Sequence, residues 1–271
     1  MGWLVIARGA SRSRLRVLPI RRGFVALASV VLALLWVTGV AAAAPTVTLK
    51  VRALPIPGFP GTGDALGAGA DVEVQVTISG NEYGGYPSPL TGINLYSPSG
   101  SKIAPVGFAT CTDAILEADG GAGCPKGSSA GPIGVGLGVV AFGGQPVPEK
   151  VSIESFFAPG GGLTFLVEGR TPSYFQVLEK AHWVDASPPY GQEVIVEVPL
   201  VETDPGGNDA SVTSFTVKVG AAYKRGKRTV SYFTQPKRCP RGGFPAKLEM
   251  KFLSGEVVTV TDSVPCPRRR G

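Results

Sequence analysis

Asp71-Val72-Glu73-Val74-Gln75-Val76-Thr77-Ile78 decides the class of this chain. Polar and branched apolar side chains alternate along it with a strict period of two. In an extended strand, successive side chains leave opposite faces, so this segment has one dry face and one wet face. The same alternation recurs at Thr46 to Arg52, Val151 to Phe157, Leu163 to Glu168, Glu193 to Val198, Phe215 to Val219 and Ala246 to Phe252. Val257 to Thr261 adds a run rich in β-branched residues. Gly160-Gly161-Gly162 and Ser254-Gly255 read as hairpin turns, and Pro205-Gly206-Gly207-Asn208-Asp209 as a longer turn. With 38 glycines and 24 prolines spread along the chain, long helices have little room. Only Thr112 to Ala118 reads as a short helix, with Thr112 or Asp113 as its cap. These elements predict an all-β fold: an antiparallel β-sandwich, jelly-roll or Ig-like, over residues 44–271. Two smaller sandwiches dividing near Gly143 are the alternative.

The N-terminus reads as an address. Six arginines between Arg8 and Arg22 precede an apolar run from Phe24 to Val40, and Ala41-Ala42-Ala43-Ala44-Pro45 follows. Basic, apolar and small, in that order, is the pattern of an export signal, with cleavage expected after Ala43. Uncut, the run is long enough to anchor the chain in a membrane. Arg21-Arg22 also permits twin-arginine export. The expected location is therefore secreted or at the cell envelope. The formal charge of +6 resides in those arginines, which leaves 20 Lys+Arg against 20 Asp+Glu in the remainder. The whole-chain charge thus gives no reason to expect a nucleic-acid partner.

Export makes disulfides durable. Four cysteines allow three pairings, and local pairing, Cys111 with Cys124 and Cys239 with Cys266, is favoured because each pair brackets one loop or hairpin. There is no Cys-x-x-Cys spacing and one histidine, His182, so no metal site is expected.

The motifs of catalysis are missing. His182 sits beside Trp183 with no serine motif around it. Glu193 and Glu197 are four residues apart on one strand, about 13 Å, too far for a glycosidase pair. Glu202, Asp204, Asn208 and Asp209 could ligate calcium but already make a good turn. Ile133-Gly134-Val135-Gly136-Leu137-Gly138-Val139 lacks the spacing and helix of a phosphate-binding loop. It reads as a strand whose bare face lets a ring or another backbone come close. The expectation is a protein that is not an enzyme and needs no cofactor.

Two binding surfaces remain. Residues 218–271 carry 13 cations and 3 acids, whereas residues 44–217 carry 7 and 17. Lys224, Arg225, Lys227 and Arg228 stand at the centre of this basic quarter. They predict contact with an anionic wall polymer through long-range attraction. The alternative is a carbohydrate-binding module that stacks sugars on the loop aromatics Trp183 and Tyr190. A secreted hydrolase built from distant acids is the third possibility.

Phe108-Ala109-Thr110-Cys111 with Cys124-Pro125-Lys126-Gly127-Ser128-Ser129-Ala130-Gly131 forms one distinctive block. Tyr223 to Arg228 with Cys239-Pro240-Arg241-Gly242-Gly243-Phe244 and Pro265-Cys266 forms another. Together they resemble a group of secreted, disulfide-containing, β-rich proteins of high-GC Gram-positive bacteria. The shared residues are scaffold residues, so the resemblance implies export and a stapled β fold, and no activity.

Overall fold

The computed structural model describes residues 44–267 apart from 173. The proposed export signal and Arg268-Arg269-Arg270 lie outside the described residues.

The strands are β1 (Thr46–Leu54), β2 (Asp71–Ser79), β3 (Leu90–Pro98), β4 (Lys102–Ile103), β5 (Gly134–Phe142), β6 (Gln145–Phe157), β7 (Leu163–Gly169) and β8 (Phe175–Asp185). They continue as β9 (Tyr190–Glu197), β10 (Ser211–Val219), β11 (Ala222–Arg225), β12 (Arg228–Ser231), β13 (Phe233–Thr234), β14 (Phe244–Phe252) and β15 (Val257–Val264). Among the described residues one α-helix, α1 (Asp113–Asp119), starts at Thr112, whose side chain accepts the Ile115 N–H. That satisfies one of the orphan donors of the first turn.

The fold is all-β and antiparallel. Eleven strands form one sheet in the order β1-β2-β10-β5-β6-β7-β8-β9-β3-β14-β15. The sheet curls until its edge strands, β1 and β15, lie side by side. The seam carries no ladder, and the Val51 N–H of β1 donates instead to Asp262 Oδ2 of β15, 2.7 Å away. Each edge therefore shields the other's unpaired backbone groups, which open sheets leave exposed. The halves of the curled sheet face each other across a common interior, as the layers of a sandwich do. Gly143 and Gly144 turn the hairpin between β5 and β6, which are neighbours in this sheet.

The alternation in β2 explains how the strands are turned. Val74, Val76 and Ile78 are buried in the interior with Leu248, Met250 and Phe252 of β14. Glu73 points outward between Arg52 of β1 and Lys218 of β10, each 3.4 Å away. Glu73 is only 5% exposed, so these cross-strand cations offset its loss of water.

The favoured disulfides are formed, Cys111–Cys124 and Cys239–Cys266. They span 13 and 27 residues of sequence, and each contributes about 3–4 kcal/mol in the chain-entropy model. The first fixes the segment carrying α1, whose Leu116 is fully buried against Phe156 and Leu166. The second ties the start of β14 to the end of β15.

Two strands of the eleven-stranded sheet have no counterpart in the sequence reading. Leu90–Pro98 contains Gly92 and Asn94, and Phe175–Asp185 contains the helix-favouring run Leu178-Glu179-Lys180-Ala181. Neighbours decide both. β3 is flanked by β9 and β14, and β8 by β7 and β9, so the ladder on each side overrides local preference.

Candidate functional site

An eight-stranded barrel has an interior that side chains can just fill, and diameter grows with strand number. Eleven strands enclose more space than that. Many of the inward residues are also small, with valine at Val51, Val151, Val167, Val177 and Val194 and no side chain at Gly136 and Gly138, beside the larger Phe165, Phe175 and Phe215. Strand number and residue size together leave a cavity of about 270 Å³, to which each strand of the large sheet contributes. A water needs roughly 10–15 Å³ of such space, so this is far more than a packing defect.

The glycine strand supplies one wall. Gly136 pairs with Phe215 of β10 and Val151 of β6. A Cβ on Gly136 would lie 2.6 Å from the Val151 methyl, and one on Gly138 would lie 2.7 Å from the Ser211 carbonyl oxygen. The bare face thus permits close approach by backbone and side chains, as the alternation of glycine predicts. The branched residues of this strand turn outward, leaving Val135 and Leu137 exposed.

One end is closed by an aromatic cluster. Phe157 is buried with its ring centroid 4.4 Å from Phe108 and 5.0 Å from Tyr232. Trp183 meets Tyr232 edge-on at 6.0 Å. Burial pushes the Tyr232 hydroxyl pKa upward.

Two acids line this apolar wall, Glu149 and Glu179. Glu149 is buried at 2% exposure, and its Oε1 accepts the backbone N–H groups of Arg170 and Thr171 at 3.2 and 3.1 Å. Glu179 is different. It occupies the inward series Phe175, Val177, Glu179, Ala181, Trp183 of β8, opposite Phe165 of β7. Among the described residues it has no hydrogen-bond or ion-pair partner. The side chain lines the cavity and is half-buried. Burial alone pushes its carboxyl up to about 7. The one cation among the described lining residues, Arg52, directs its side chain to Glu73 on the outer face.

The structure sets apart the two aromatics of the carbohydrate reading. Trp183 lies in strand β8, not a loop, and its ring packs inward on Tyr232. Tyr190 packs on the outer face against Tyr96, 5.5 Å between centroids, with Lys247 Nζ 5.5 Å from its ring. The sheet separates the two rings: Trp183 pairs with the inward Val194, whereas the register shift where β9 meets Ser97 and Pro98 breaks the alternation that would otherwise turn Tyr190 inward. The basic residues do gather. Lys224, Arg225, Lys227 and Arg228 are all exposed on the β11–β12 hairpin, and none makes an ion pair among the described residues. His182 is exposed on the outer face, and Asp204 and Glu202 accept backbone N–H groups of Gly144 and Gly206 as turn residues.

The outer face also carries a polar cluster. The Tyr96 hydroxyl lies 2.9 Å from Glu193 and 3.1 Å from Glu249, and Lys247 lies 2.7 Å from Glu249. Burial and both carboxylates push the Tyr96 hydroxyl pKa up, and Lys247 holds Glu249 below its ordinary value. Its members answer one another's charges on the sheet surface.

Glu179 is the residue the sequence reading passed over. The signal was a glutamate at an inward position of an otherwise apolar period-two series, visible once Phe175–Asp185 is read as a strand. No protein-family model matches this chain, and it has no significant match among curated proteins or solved structures.

Proposed function

We propose that this is a secreted or envelope-associated, non-enzymatic binding protein that holds a small apolar molecule inside its curled sheet. The observation that carries the proposal is the cavity of about 270 Å³ bounded by all eleven strands. Ligand sites are concave and mostly apolar, with a few placed polar groups. Apolar transfer into this space supplies the driving force, roughly 25 cal/mol for each Å² of ligand surface removed from water. Two disulfides suit an oxidising compartment, and among the described residues no helix is long and apolar enough to cross a membrane.

The test is titration with the uncharged dye N-phenyl-1-naphthylamine, whose emission rises in apolar surroundings. Saturable binding to the native chain is expected. Val177→Trp, which sets an indole into the cavity, should reduce that binding at least about tenfold while the far-ultraviolet dichroism stays unchanged. Absence of saturable binding by the native chain would overturn the proposal.

The exposed hairpin favours a second reading, in which Lys224, Arg225, Lys227 and Arg228 bring the protein to anionic wall polymer. Co-sedimentation with isolated cell wall should then fall steeply as salt rises, because exposed charge contacts are screened. Replacing the four cations by glutamine should abolish it. Wall binding that resists both salt and substitution would refute this role.

A further inference from the structure

We infer that the cavity ligand is a lipophilic amine, an apolar body with one basic nitrogen, and that Glu179 is the residue that receives the nitrogen. The inference rests on the cavity being a ligand site and adds the chemistry of its occupant.

The first support is the unmatched acid. Buried charges in folded proteins are paired, and a carboxylate in an apolar wall is costly without a partner. Glu149 accepts backbone N–H groups from Arg170 and Thr171, and Asp262 takes the Val51 N–H, but Glu179 meets Phe165 across the ladder and open space ahead. A recognition group has this form: one polar atom set in an apolar surface, left for the ligand to satisfy.

The second support is the sign of the interior. Its wall carries two acids, and the one cation among the described lining residues, Arg52, turns its side chain outward to Glu73. A fatty acid would bring a further carboxylate into this space with no cation to meet it. A neutral alcohol could share a hydrogen bond with Glu179. An ammonium head would supply both a charge-assisted hydrogen bond and the missing counter-charge, at low dielectric. Hydrogen bonds to charged groups are worth about 1.5–3 kcal/mol, roughly tenfold to a hundredfold in affinity.

The test compares decylamine, decanol and decanoate, which share one chain and differ in the head, as competitors of N-phenyl-1-naphthylamine on the purified chain near neutral pH. The amine is expected to bind roughly tenfold or more tightly than either other compound. Glu179→Gln should erase that preference and leave decanol within about threefold of its native affinity. On the native chain, the ¹³C resonance of the Glu179 carboxyl should move to its ionised position when decylamine is added. Equal binding of amine and alcohol, tighter binding of decanoate, or a preference that survives Glu179→Gln would overturn the assignment and leave the apolar site standing. If the dye itself finds no saturable site, the cavity reading fails and the amine falls with it.

Discussion

Glu179→Gln will be more stable than the native chain by about 3 kcal/mol near pH 8 and indistinguishable from it near pH 4. Burial raises the Glu179 carboxyl from 4.5 to about 7 in the folded protein. Below 4.5 both folded and unfolded chains carry the proton, and stability does not depend on this group. Between 4.5 and about 7 the folded chain keeps a proton that the unfolded chain has released, so stability falls as pH rises. Above about 7 both states are ionised, and the folded state bears the full cost of a buried carboxylate. Glutamine keeps the shape and removes the charge. Asp71 contributes in the same sense, since burial pushes its carboxyl from 3.8 to about 6 against the opposing pull of Lys218. The variant will therefore flatten the pH dependence without abolishing it. Urea titrations at several pH values check this: equal slopes of stability against pH in variant and native chain would refute a desolvated Glu179. Saturating decylamine should recover part of the loss in the native chain alone, because a ligand that binds only the folded state stabilises it by mass action.

Phe157→Ala will cost about 3–5 kcal/mol, the largest expected loss from a single truncation in this fold. The ring is 2% exposed and touches Phe108 and Tyr232 at the closed end of the interior. Its backbone also holds that end together, accepting the Cys111 N–H and donating to the Ser128 carbonyl. These backbone bonds survive the substitution, so the loss measures the ring's transfer energy and the void left behind. Thermal and urea unfolding give the magnitude. A loss below about 1 kcal/mol would mean that the aromatic cluster does not plug the interior. Dye affinity gives a second readout, since opening this end should weaken retention of an apolar ligand.

The candidate site was far less legible in the sequence than the fold. Strands with clean alternation, β2 above all, announce both their conformation and their faces, because one residue in two must meet the core. The turns at Gly160 to Gly162 and at Ser254-Gly255 connect paired neighbours as their composition implies. The basic hairpin was legible too, since charge clustered in sequence stays clustered across a two-residue turn. Trp183 and Tyr190 misled because nearness in sequence does not place residues on one face of a sheet. Glu179 was hidden because a helix-favouring neighbourhood masked the strand that turns it inward.

The sequence by itself determined the local terms: extended segments, turns, the short capped helix, the favoured cysteine pairs and the excess of cations near the C-terminus. These depend on stereochemistry and spacing within a few residues. Only the tertiary structure decided that one sheet would curl until β1 met β15, and that its eleven strands would enclose more space than their side chains fill. Strand order and curvature are set by contacts between segments far apart in the chain, and an interior volume belongs to no single segment. Whether a glutamate in a strand faces water or a cavity is therefore fixed by what the other strands build around it.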